Sequence, residues 1–188
     1  MRPTVLQKFG TLLLLIALSS ILSGCSDKTY AKSDSPLIEL NDLPQLAKQS
    51  KQNQLPILLL FSAQWCEYCQ LLKEEVLEPM MLNGLYENKW LYIRHVGIDQ
   101  SKPMIDLNGN DIKKAKWAYQ LNADLTPTVI FIDHQGNEVA DRITGISEIT
   151  LYASLIHARL NQAYQKMGLD KRIPPTPELL DKQTNQTP

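Results

Sequence analysis

The residues of this chain best placed to do chemistry are Cys66 and Cys69, three positions apart in "AQWCEYCQ" and just after the apolar run "ILLLF". Such a pair can be a redox dithiol, half of a zinc site, or two thiols with no role. Zinc needs about four ligands, commonly a second C-x-x-C or a pair of histidines at short spacing. The chain holds three cysteines and three histidines, and His95, His134 and His157 are scattered, so no metal site is expected. The run "DLNGNDIKKAKW" puts Asp106, Asn108 and Asn110 at calcium-loop spacing. However, Asp111 stands where that loop needs glycine and Trp117 where it needs the closing glutamate, so a solvated turn is expected.

The third cysteine explains the compartment. Arg2 and Lys8 precede an apolar segment from about Leu12 to Leu22, shorter than the roughly 20 residues that cross hydrocarbon, as in a signal peptide. Its ending, Leu22-Ser23-Gly24-Cys25, resembles the lipobox of bacterial lipoproteins. That resemblance implies removal of residues 1–24 and a lipid on Cys25. Ser26, with Asp27 one place later, resembles lipoproteins sent to the outer rather than the inner membrane, with the domain facing the periplasm. Lipidation leaves Cys66 and Cys69 as a lone pair in an exported protein, where disulfides persist. The loop they close is too small to stabilise a fold much through chain entropy, so chemistry is the expected reason for the pair.

The full chain has a formal net charge of −1, and its leader carries basic residues but no carboxylate. The mature chain is therefore mildly acidic, and neither nucleic acid nor an acidic membrane surface is an expected partner.

The elements that must position the dithiol follow from pattern. Residues 25–36 read as a flexible tether, 37–168 as one domain, and 169–188 as a proline-rich polar tail, mobile or loosely docked. Asn41 to Lys51 predicts a helix behind an Asn or Asp cap. "LPILLLFSA" predicts a strand buried on both faces. "CQLLKEEVLEPM" carries an apolar stripe, with Pro79 ending or kinking the helix. "KWLYIRHVGID" predicts a strand and "DIKKAKWAYQLN" a helix. "TPTVIFID", "HQGN" and "EVADRITG" predict a hairpin, and a helix opens at a Ser147 cap. Alternating helices and strands that finish in a hairpin imply an α/β fold with a mixed sheet covered on both faces.

A cysteine where a buried strand turns into a helix meets first-turn amides and the positive end of the helix dipole, which stabilise an anion. Cys66 is therefore expected to be the nucleophilic thiolate. Cys69, one turn further in, is expected to be the resolving thiol that attacks a mixed disulfide from inside.

"FSAQWCEYC" followed by "LTPTVIFID" and "QGNEV" resembles the thioredoxin superfamily over about Ile38 to Lys166, and the flanking segments are most similar to periplasmic thioredoxins of the SoxW-like branch. The resemblance implies a thioredoxin-like fold, no cofactor, and a cis Thr126-Pro127 peptide facing the dithiol, whose backbone pairs with substrate chains. It also implies exported proteins as exchange partners and a membrane electron donor of the DsbD or CcdA kind. Trp65 is expected to pack over the dithiol. Many relatives carry a buried aspartate six positions before the first active-site cysteine, and here that position is Leu60. Proton transfer must then use water, Glu67 or another group. His95 is a candidate because it aligns with a lysine that many relatives place near the second cysteine. Glu67, with Tyr68 in the intervening dipeptide, puts a carboxylate beside Cys66 that opposes thiolate formation. A thiol–disulfide oxidoreductase, expected to act as a reductant, thus stands against a copper-binding assembly factor and a non-catalytic binding module. Thioredoxin-fold copper lipoproteins usually space their cysteines C-x-x-x-C and supply a distal histidine, and this chain has neither.

Overall fold

Six consecutive buried residues, Ile57–Ser62, form the strand β1, and their lack of a polar face puts this strand in the middle of the molecule. The computed structural model describes residues 35–185; the leader, Cys25 and all but the end of the expected tether lie outside them. Around β1 are α1 (Leu43–Asn53), α2 (Glu67–Leu72), α3 (Glu78–Leu82), β2 (Tyr92–Gly97), β3 (Met104–Ile105), β4 (Asp111–Ile112), α4 (Lys114–Gln120), β5 (Thr128–Ile132), β6 (Ile143–Thr144), α5 (Tyr152–Lys166) and α6 (Pro177–Asn185).

The main sheet runs β2-β1-β5-β6. β1 is parallel to β2 and antiparallel to β5, the mixed sheet that the element order implied. Alternate residues of β1 go to opposite faces. Leu58 and Leu60 pack with Leu72 and Val76 behind the dithiol and with Ile156 and Leu160 of α5. Ile57, Leu59 and Phe61 pack with Leu43 and Leu46 of α1 and with Ala118 of α4. Along the outer side of β2 lies the segment 38–40, where Leu40 N donates to His95 O at 2.7 Å and His95 N to Ile38 O at 2.9 Å.

Several local expectations change in detail. Pro79 does not end the helix. The chain instead widens into a π turn over Lys73–Leu77, with Glu78 N bonding Lys73 O, and Pro79 falls in the first turn of α3, where a missing N–H is tolerated. The insertion that reads as a solvated turn is a two-residue ladder, β3 with β4, closed by Asp106 Oδ1 accepting from Asn108 N and Asn110 N, both at 2.9 Å. Ser147 is not the cap. Glu148 caps a short 3-10 turn over Ile149–Leu151, and α5 begins only at Tyr152.

The largest difference is the tail, which is docked. Asn161 of α5 donates to Ile173 O at 3.0 Å and accepts from Ile173 N at 2.9 Å. His157 Nδ1 donates to Pro174 O at 2.6 Å, so Nε2 accepts from the Tyr86 hydroxyl at 2.9 Å. Burial pulls this imidazole below the ordinary histidine value, which keeps it neutral between its two partners. Ile173 and Leu180 then enter the core beside Tyr152 and Tyr164. Ile173→Ala is expected to cost about 2–5 kcal/mol, read as a lower urea midpoint. An unchanged midpoint would mean that the tail contributes nothing.

Candidate active site

The polypeptide leaves the buried end of β1 at Ser62 and reaches Cys66 in four residues. Cys66 is the N-cap of α2: its backbone is extended, and its Sγ accepts a hydrogen bond from Cys69 N at 3.2 Å. The two sulfurs are joined as a disulfide, with Cα atoms 5.2 Å apart. Cys66 retains 7 % exposure and Cys69 none, the order expected of attacking and resolving positions. Both pack against Ala63 and Ile98.

Two loops support this turn. From β2, Ile98 N donates to Ser62 O at 2.9 Å, and Asp99 Oδ2 accepts from Gln64 N at 2.7 Å, which fixes the approach to the cysteines. From β5, the register pairs Phe61 with Thr128, so the preceding Thr126-Pro127 stands opposite the end of β1 from which the dithiol emerges. That peptide is cis. Pro127 O accepts from Gly145 N at 2.8 Å, and Thr128 Oγ1 donates to Leu125 O at 2.6 Å. The Thr126 N–H and C=O make no hydrogen bond among the described residues.

Trp65 lies at the surface. At 72 % exposure it projects into solvent beside Cys66, because it sits in the turn ahead of α2 where no element covers it. Tyr68 and Glu67 are exposed as well, and Leu125 is exposed next to the cis peptide. Three large apolar side chains thus lie at the dithiol end of the sheet.

His95 is held rather than free. Its Nε2 is 2.5 Å from Ser62 Oγ, and its Nδ1 pairs with Glu39 Oε2. Glu39 Oε1 also accepts from Lys114 Nζ at 2.5 Å and from Gly97 N at 3.0 Å, and the fully buried Lys114 reaches Gln100 Oε1 at 3.2 Å. Burial alone would raise the Glu39 carboxyl. The hydrogen bond and charge of His95, with Lys114 and the Gly97 amide, outweigh it and hold the carboxyl at about 2. Sequence reading missed this cluster. The available signals were a lone carboxylate inside the apolar "LIEL" and a lysine, Lys114, on the same helical face as Ala118. Among the described residues no three His, Cys, Asp or Glu side chains gather as metal ligands.

These features can be set beside known proteins. A family model described as a thioredoxin-like domain matches residues 43–159, more than half of the chain. Among solved structures, the chain is similar to thioredoxin O2 from Arabidopsis thaliana in its oxidized state, at 21% identity over 67% of this chain and 96% of that one, TM-score 0.44. It is similar to a DsbH oxidoreductase at 18% identity over 66% and 85%, TM-score 0.48. It is also similar to a thioredoxin-fold protein from Helicobacter pylori at 22% identity over 81% and 86%, TM-score 0.47. No curated protein matches the sequence significantly.

Proposed function

The chain belongs to the thioredoxin-like family, and from that premise we propose that it is a thiol–disulfide oxidoreductase that reduces disulfides of exported proteins. The observation that carries this reading is the placement of Cys66 Sγ on the first-turn amide of Cys69, with Cys69 itself buried behind it. In the reduced state the same amide and the positive end of the helix stabilise the Cys66 thiolate. That thiolate attacks a client disulfide. One client sulfur leaves as a thiolate, and the other remains joined to Cys66. Cys69 then attacks Cys66 Sγ, re-forms the disulfide and releases the second client sulfur.

The surface favours a polypeptide client. Trp65, Tyr68 and Leu125 offer exposed apolar contact around the sulfurs, and the unpaired Thr126 backbone offers hydrogen bonds to an extended chain laid alongside it. Cys25 and the leader motif support a lipid anchor in the outer membrane with the domain facing the periplasm. Electrons would then come from a membrane protein of the DsbD or CcdA kind, as for SoxW-like relatives.

The test is reduction of insulin by the reduced chain, run beside a copper titration. Turnover of insulin disulfides with only weak copper binding is expected. Tight copper binding without turnover would replace this reading with a metal-carrying role, and neither activity would leave a binding module.

A further inference from the structure

The aspartate that many relatives use near the second thiol is Leu60 here, fully buried in apolar surroundings, and His95 is occupied by Glu39 and Ser62. One cationic group, in the turn that continues the dithiol helix, has no such commitment. Lys73 begins the π turn, and its N–H bonds Cys69 O, so it stands one turn from Cys69. Side chains four apart on a helix leave the same face, and the face that Cys69 occupies is the buried one. Lys73 is accordingly half-buried, and among the described residues its ammonium has no hydrogen bond or close ion pair.

Four carboxylates act on that ammonium. Glu78, the strongest of them, and Glu74 belong to its own helical run, while Asp99 follows the end of β2 and Glu39 lies in the segment 38–40 beside that strand. The latter two are fixed in place, Asp99 by Gln64 N and Glu39 by His95, Lys114 and Gly97 N. The immediate surroundings of Cys69 are otherwise apolar, made by Ala63, Cys66 and Ile98. Burial draws the Lys73 ammonium below the ordinary lysine value, so a nearby anion would stabilise its charged form.

We propose that Lys73 is a positioning residue for the resolving thiol, its ammonium stabilising the Cys69 thiolate as that sulfur attacks the mixed disulfide. In this step Cys69 gives its proton to water. Its sulfur electron pair forms the bond to Cys66 Sγ, and the bond from Cys66 to the client breaks. The client sulfur leaves with that pair and takes a proton from solvent, so the protein dithiol is oxidised by the two electrons that reduced the client. A thiol buried among apolar groups otherwise ionises poorly, and an opposite charge close by corrects this without a base that must itself cycle.

This inference rests on the exchange reaction proposed above, but its test reads ionisation and not turnover, so the two can fail separately. In the full chain carrying Cys66→Ser, the Cβ resonance of Cys69 is followed by NMR across a pH series with isotopically labelled cysteine, where Cys25 gives its own signal. Lys73→Gln is expected to move the Cys69 midpoint up by about one pH unit, and Lys73→Arg to bring it back. Lys73→Met, which keeps the apolar stem, serves if the glutamine variant is poorly folded. A Cys69 midpoint that is the same with lysine, glutamine or methionine overturns the proposal, even if insulin reduction is normal.

Discussion

Cys66→Ser is expected to bring insulin reduction down to the uncatalysed background, whereas Cys69→Ala should leave the first attack intact and stall the second. The difference follows from the two positions. Cys66 alone caps the helix and alone retains exposure among the two sulfurs, so without it no nucleophile meets the client. Cys69 is fully buried, and in the proposed exchange it acts only on a sulfur already joined to its neighbour. Its attack is intramolecular, and replacing it with a thiol from solution should slow release by roughly a hundredfold or more. Cys69→Ala should therefore accumulate client proteins bound covalently to Cys66, visible as reducible high-mass species in a periplasmic extract. The double variant Cys66→Ser/Cys69→Ala should trap none. Equal trapping by Cys69→Ala and by the double variant would remove Cys66 as the attacking sulfur.

Glu39→Gln is expected to destabilise the fold by about 3–5 kcal/mol at neutral pH, measured by urea denaturation, because it leaves the ammonium of Lys114 inside the protein without a counter-charge. Lys114 has no exposure, and its remaining partner is the neutral Gln100. Adding Lys114→Met should recover most of the loss, since the stranded charge goes with it. The same carboxylate sets a pH signature. Its folded value of about 2 lies below the ordinary 4.5, so its contribution is complete above about pH 4.5 and disappears as the pH falls toward 2. The native chain should lose stability through that window more steeply than Glu39→Gln does. Parallel curves would mean that the Glu39 cluster is not stabilising.

The dithiol and the strand before it were legible because each is written locally, whereas the cis Thr126-Pro127 peptide was legible only through the family resemblance. A short unbroken apolar run bounded by Pro56 fits a covered strand, and the two cysteines follow it at the start of the next helical stripe. Leu60 was readable through the same resemblance, as a departure at a fixed offset. The cluster of Glu39, His95, Ser62 and Lys114 joins four separate stretches of chain, and no single one announces it. Lys114 and Glu39 are 75 positions apart, and each reads alone as a solvated charge. The tail failed differently. Its composition is that of a loose segment, and it is fixed by Asn161 and His157, polar residues that on a helix normally face water. Trp65, expected from the resemblance to pack over the dithiol, is left largely exposed by the turn that carries it.

The short stretch at Ile38–Leu40 has a further result besides delivering Glu39. By hydrogen-bonding to His95 it occupies the outer margin of β2, which would otherwise be a bare template for another copy's strand. Joined to β2 by a single bridged residue, Glu39, the segment leaves on that side only a very short margin, one of the ways in which a sheet resists edge-to-edge zipping between molecules.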